Sequence, residues 1–121
     1  MWTYQQSTGA LSRAGKTIAH GYSGLDLGKN NPAMQAARGI GPIPAGRWII
    51  AGAPYHSAST GPYTLALQPA PGTDALGRSA FRIHGDSIAH PGEASHGCII
   101  LPRNVREQIW ASGDREIEVV A

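Results

Sequence analysis

Along the chain, short apolar segments alternate with polar ones, and sixteen glycines and nine prolines cut between them at close intervals. That punctuation predicts many brief strands joined by turns. The expected strands run from Trp2 to Ser7, Lys16 to Tyr22, Trp48 to Ala53, Tyr63 to Gln68, Ala80 to His84, Cys98 to Leu101 and Glu116 to Val120. Trp48-Ile49-Ile50 and Tyr63-Thr64-Leu65-Ala66-Leu67 carry the β-branched and aromatic side chains that a pleated surface favours. Two segments break the pattern. Pro32 to Arg38 can begin a short helix on its proline, and Arg103 to Ser112 sets Val105, Ile109 and Trp110 on one face before Gly113 ends it. The expected fold is mainly β, a compact sandwich or barrel with one or two short helices packed over the sheet. Gly52 to Pro62 and Pro69 to Arg78 are polar, Gly- and Pro-rich loops that serve either as plain connections or as the border of a substrate groove.

A length of 121 residues suits one domain over residues 1–121, with a single core and no accessory module. Met1 to Gln6 hold neither a basic cluster nor an apolar run, and no stretch approaches about eighteen consecutive apolar residues. Neither a signal peptide nor a membrane span is expected. The one cysteine excludes an internal disulfide, so packing has to supply the stability. Ten Lys and Arg against eight Asp and Glu give a net charge of +2, and the basic residues scatter from Arg13 to Arg115, which does not suggest a nucleic-acid partner.

Candidate chemistry gathers around that cysteine. Cys98 lies in the run Ser95-His96-Gly97-Cys98-Ile99-Ile100-Leu101-Pro102, fourteen residues after the pair His84-Gly85 (98 − 84 = 14). A thiol is a strong nucleophile only as thiolate, so a lone cysteine matters most where a histidine or backbone N–H groups can lower its pKa. In a strand from Ala80 to His84, Phe81 and Ile83 share one face and Arg82 and His84 the other, which puts His84 at a strand end facing a cleft. Fourteen residues suffice to return the chain beside it as a neighbouring strand. Each residue also has a plainer reading, Cys98 as a buried thiol ahead of Ile99, Ile100 and Leu101, and His84 as an ordinary core or surface histidine.

The residues around the pair have readings of their own. Gly97 lets the backbone turn tightly and a substrate carbonyl approach, so the amides of Gly97 and Cys98 are a candidate oxyanion hole. Ser95 can hold the loop through a backbone hydrogen bond, and His96 can tune the thiol, contact substrate or stand by. Asp86 and Ser87 fit a turn, with Ser87 also a candidate to orient His84 or touch substrate, and Tyr22 is a candidate groove residue. Metal binding is the strongest competing chemistry, since His84, His90, His96 and Cys98 offer four ligands. Their spacing, His-x5-His-x5-His-x-Cys, matches none of the usual zinc patterns, and no metal or other cofactor is expected. A papain-like site is disfavoured because there the cysteine precedes its histidine.

Ser-His-Gly-Cys-Ile-x-Leu after an upstream His-Gly resembles the signature of YkuD-like L,D-transpeptidases, cysteine enzymes of peptidoglycan. Gly41-Pro42-Ile43-Pro44-Ala45-Gly46-Arg47-Trp48 is similar to the Pro-x-Gly-aromatic segment before a core strand of that family. Tyr4-Gln5-Gln6-Ser7-Thr8-Gly9, Gly21-Tyr22-Ser23-Gly24 and Asn30-Asn31-Pro32 together resemble its compact branch, the L,D-transpeptidase toxins delivered by type VI secretion. The family pattern reads Cys-Ile-Arg-Leu, and Ile100 stands here at the arginine position, with Arg103 a cation three places further on.

The resemblance implies a β-rich L,D-transpeptidase-like domain in which Cys98 is the nucleophile and His84 the base. It implies attack on the carbonyl of the L-centre of a diamino acid linked to terminal D-Ala in a peptidoglycan tetrapeptide stem. The resulting thioester passes to water, to a free D-amino acid or to the amine of a second stem. Activity as a carboxypeptidase or in D-amino acid exchange is the favoured outcome for so short a chain. Peptidoglycan stems, a cognate immunity protein and a secretion-system carrier are the implied partners, and the periplasm of a target bacterium the implied place of action. A non-catalytic wall-binding module of the same fold, or a zinc-dependent hydrolase, is the alternative.

Overall fold

In the computed structural model, which describes residues 1–121, the N-terminal apolar residues Trp2 and Tyr4 point inward from strand β1 (Trp2–Gln5) with the polar residues between them turned outward. The same period recurs at the other end of the chain, where β10 (Glu116–Val120) buries Ile117 and Val119. These two distant segments lie side by side and parallel, Trp2 opposite Ile117 and Tyr4 opposite Val119. β10 in turn pairs antiparallel with β5 (Gly46–Ile50), which buries Trp48 and Ile50.

β1 also pairs with a strand that the pattern did not announce, β2 (Ala10–Arg13), which continues into β3 (Lys16–His20). Only Leu11 of β2 is a large apolar residue, so the segment carries no alternation to read. The turn between β2 and β3 places Ala14 at φ 52 and Gly15 at φ 76, the two left-handed positions of a tight hairpin turn matched to strand twist.

The expected strand from Lys16 to Tyr22 breaks at Gly21. A Cβ there would stand 1.8 Å from the Ile100 carbonyl oxygen, so only glycine fits. Beyond it β4 (Tyr22–Ser23) pairs with β9 (Ile99–Ile100), at the far end of the sheet from β3. Strand order is β3-β2-β1-β10-β5-β7-β8-β9-β4, where β7 is Gly61–Pro69 and β8 is Arg82–His84. One residue thus joins its two outermost strands, and the sheet has to roll round on itself. No ladder closes it: the mainly-β expectation holds, and in hydrogen bonding the sheet is open and mixed rather than a barrel.

Strand β7 is long enough to pair with β6 (Tyr55–Ser57), β8 and β5 along its length. The expected loop from Gly52 to Pro62 therefore contains a strand. Pro32 to Arg38 forms one 3-10 turn, Pro32–Met34, because its backbone bonds span three residues and not four, as in Gln35 N–H to Pro32 O at 3.2 Å. A second such turn, Asp26–Gly28, was not foreseen. The one α-helix, α1 (Arg103–Ala111), buries Val105 and Ile109, while Trp110 lies half-buried beneath the Arg115 guanidinium, 3.5 Å above its ring. Sixteen apolar residues from seven of the strands, α1 and the loops between them meet in a single core.

Candidate functional site

Strands β8 and β9 run parallel, with Ile83 opposite Ile99 and His84 opposite Ile100. Parallel neighbours need a crossover of about a dozen residues or more, and the segment after His84 supplies it without a helix. The expected strand ends are trimmed. Ala80, at φ 64, breaks the extended chain before β8, and Gly97, at φ 140, breaks it before β9. Cys98 thereby leaves the ladder at the mouth of a recess of 260 Å³ that it lines together with His84, Arg82, Phe81, His96 and Gly97. The thiol is partly exposed and contacts the Ala80 carbonyl at 3.7 Å.

His84 is buried, and its Nδ1 lies 2.8 Å from the Gly85 carbonyl oxygen. That carbonyl can only accept, so Nδ1 carries the proton and Nε2 keeps its lone pair. Burial pushes the imidazole pKa below its ordinary value, and the Arg106 and Arg82 charges push the same way against the Gly85 carbonyl and Asp86. His84 is neutral at neutral pH. Burial pushes the Cys98 thiol up, against the Arg82 N–H and the charges of Arg82 and Arg78. The resting pair is a neutral thiol and a neutral imidazole, so any thiolate has to form by proton transfer in the reaction itself.

The cysteine loop is held from below. Ser95 is fully buried, and its hydroxyl donates to Cys98 O at 2.6 Å while accepting from Gly24 N–H at 2.9 Å and Gly97 N–H at 3.2 Å. Ser23 Oγ donates to Gly97 O at 3.0 Å and accepts from Ile43 N–H at 2.9 Å. The expected pair of oxyanion donors is therefore reduced: Gly97 N–H is committed to Ser95, and the Cys98 amide is the uncommitted one. Gly97 has a different necessity, since a Cβ there would come within 2.5 Å of Arg78 Nη2. Arg78 donates to the carbonyls of Gln35, Pro42, Gly41 and His96 at 2.6–3.0 Å, which ties three loops together.

Other expected residues fall into place or out of it. His96 is exposed on the recess wall, with Nδ1 2.9 Å from Gly39 O. Ser87 does not orient His84, because its hydroxyl accepts from His90 N–H at 2.9 Å and the Gly85 carbonyl takes the imidazole. Tyr22 is not a wall of this recess. Its hydroxyl donates to Asp86 at 2.6 Å and accepts from Ala94 N–H at 3.0 Å, pinning the crossover, and burial with the Asp86 bond pushes its pKa up to about 12. Although burial works to raise it, Asp86 stays below the usual carboxylate range through hydrogen bonds from Tyr22, Gly92 and Ser87. No three of the His, Cys, Asp and Glu side chains converge as metal ligands, and His90 instead faces Glu93 at 3.7 Å on the surface.

Sequence reading missed Arg78 and Arg106, and also Ser59 and Thr60, which line the recess from the turn between β6 and β7. Arg106 was findable in principle. It sits three residues before Ile109 on the face of α1 that turns inward, where a charge is unexpected.

No curated protein matches the chain. The family model of the Tlde1 domain matches residues 17–120, so β1, β2, the turn after it and the first residue of β3 precede the match although β1 lies between β2 and β10 in the sheet. By that match the chain belongs to the Tlde1 domain family, by its name a family of type VI secretion L,D-transpeptidase effectors.

Proposed function

We propose that this protein cleaves tetrapeptide stems of peptidoglycan through a thioester on Cys98, acting as an L,D-carboxypeptidase or exchanging the terminal residue for a D-amino acid. The observation that carries the reading is the neutral, oriented imidazole of His84 sharing one recess with the only thiol of the chain. Nε2 takes the thiol proton as Sγ bonds to the acyl carbon, and the Cys98 amide faces the developing oxyanion. Arg82 and Arg78 add positive potential that favours the thiolate. When the C–N bond breaks, His84 returns the proton to the departing amine of D-Ala. Water or a D-amino acid amine then attacks the thioester with His84 as base again.

Family membership supports delivery by type VI secretion into the periplasm of a target cell, with an immunity protein guarding the producer and a carrier for export. Incubation with tetrapeptide muropeptides and mass spectrometry tests the chemistry. Loss of the terminal residue, or its replacement by an added D-amino acid, is expected from the native protein and not from Cys98→Ala. Unchanged muropeptides with native protein that still binds the wall would favour a non-catalytic binding module. Expression of the native chain with a secretory signal should arrest growth, and expression without one should not.

A further inference from the structure

Arg106 is 95 % shielded from solvent by residue and pairs with no carboxylate (relative exposure 5 %). Its Nε donates to Leu101 O at 3.0 Å, and its Nη1 to Pro62 O at 2.9 Å and Tyr63 O at 2.8 Å. Those bonds use three of its five N–H groups. Nη2 has no hydrogen-bond partner, yet it is not among the atoms sealed away without one. Arg106 lines a larger recess of 750 Å³ with Ser59, Thr60, His84, Gly85 and His96, and Nη2 stands against Gly85 of that wall. A cation fixed on three carbonyls, with one nitrogen left over at a cavity wall, is prepared for an anion.

Two carboxylates border the same recess, and neither reaches Arg106. Asp86 is occupied by Tyr22, Ser87 and Gly92, and Glu93 sits on the rim beside His90. His84, together with Ser59, Thr60, Ala94 and His96, belongs to both recesses. Gly85, whose carbonyl holds His84, also lies beside Nη2, since a Cβ on Gly85 would stand 2.8 Å from that nitrogen. In a stem the terminal carboxylate stands one residue beyond the acyl carbon that the thiol attacks.

Resting on the reaction proposed above, we propose that Arg106 Nη2 binds the free C-terminal carboxylate of the leaving D-residue, which restricts the enzyme to the unblocked ends of stems. An incoming free D-amino acid uses the same subsite. Ile100 removes the arginine of the related motif, and Arg106 brings a cation to the site from α1.

The test compares a tetrapeptide ending in D-Ala with its C-terminal amide, reading kcat/KM and the mass of the Cys98 adduct. Native protein should lose roughly 10- to 100-fold in kcat/KM on amidation, mainly through KM, although the less basic D-alaninamide is the better leaving group. Arg106→Gln should treat the two peptides alike. Because Arg106 also supports the backbone, Gly85→Ala serves as a second variant that crowds Nη2; its carbonyl also holds His84, so turnover should fall for both peptides, and the reading is the acid-to-amide ratio of kcat/KM, which should shrink toward one. A native acid-to-amide ratio near one overturns the proposal, as does a ratio that survives in Gly85→Ala and disappears in Arg82→Gln. Absence of any Cys98 adduct with either peptide would instead overturn the underlying reaction.

Discussion

Around β1, β2, β10 and β5 the protein is held by apolar alternation: Trp2, Tyr4, Leu11, Trp48, Ile117 and Val119 fill the interior from ladders of three or four paired residues. Around β8, β9 and β4 the ladders shrink to two pairs, and side chains do the holding. Ser23 reaches Gly97, Ser95 reaches Gly24, Arg78 reaches four carbonyls, and Arg106 reaches three. Apolar burial is non-directional and fills space, whereas a catalytic loop needs particular carbonyls and amides aimed in particular directions. The buried polar atoms without partners, Trp2 Nε1, Tyr4 OH and Gln6 Oε1, all belong to the first region and none to the second. The unpaired groups of the second region, the Cys98 amide and Arg106 Nη2, belong instead to residues that line the recesses.

The largest effects should come from the two side chains that this second region displays. Cys98→Ala should abolish turnover and all iodoacetamide labelling with the thermal midpoint unchanged, and His84→Ala should slow acylation by roughly 10² or more. Stopped-flow acylation and melting curves check both. Turnover surviving in Cys98→Ala would end the cysteine mechanism.

Next, the two kinds of support should fail differently. Trp48 is fully buried, packs edge-on against Phe81 with centroids 4.8 Å apart, and donates its indole N–H to Pro44 O. Trp48→Ala should cost about 3–5 kcal/mol of stability. Turnover per folded molecule should be nearly intact. Ser95→Ala removes three hydrogen bonds beneath the loop and should cost about 1–3 kcal/mol, while lowering kcat well beyond what unfolding explains. Denaturant titration combined with active-site counting separates the two, and equal ratios of stability loss to rate loss would erase the distinction.

The smallest effect is in pH. His84 has a folded-state pKa below 6.5, so between the two values the unfolded chain binds the extra proton and stability falls as pH drops. The same protonation removes the base, so kcat/KM should decline on acidification with a midpoint lower than that of an ordinary histidine. With the thiol raised above 9.0, alkylation of Cys98 by iodoacetamide should keep rising past that pH in the free protein. A labelling curve that levels off near pH 6 would mean a preformed thiolate–imidazolium pair, contrary to the neutral pair described above.

The sequence by itself determined the mainly-β fold, the one α-helix and most of the strands, with β2 and β6 unforeseen and β4 merged into β3, and it marked Cys98 and His84 as the candidate pair. Those features are local: alternation at Phe81 and Ile83, proline and glycine punctuation, and the run from Ser95 to Cys98 can each be read within a few residues. Tertiary structure alone decided that Gly21 joins the two ends of a rolled sheet, since this depends on a carbonyl of Ile100 far along the chain. It decided that Gly85, not Ser87, orients His84, and that Tyr22 braces the crossover instead of lining the recess beside the thiol. It decided, too, that Ser95 binds the Gly97 amide, one of the two expected oxyanion donors. Arg106, buried, and Arg78, half-buried, show why these features were not legible. An arginine written in sequence is ordinarily a surface charge. Only the arrival of carbonyls from residues some forty positions away, Pro62 and Tyr63 for Arg106, Gln35 and Pro42 for Arg78, makes withdrawal of these charges from water tolerable, and in Arg106 alone it leaves Nη2 unpaired.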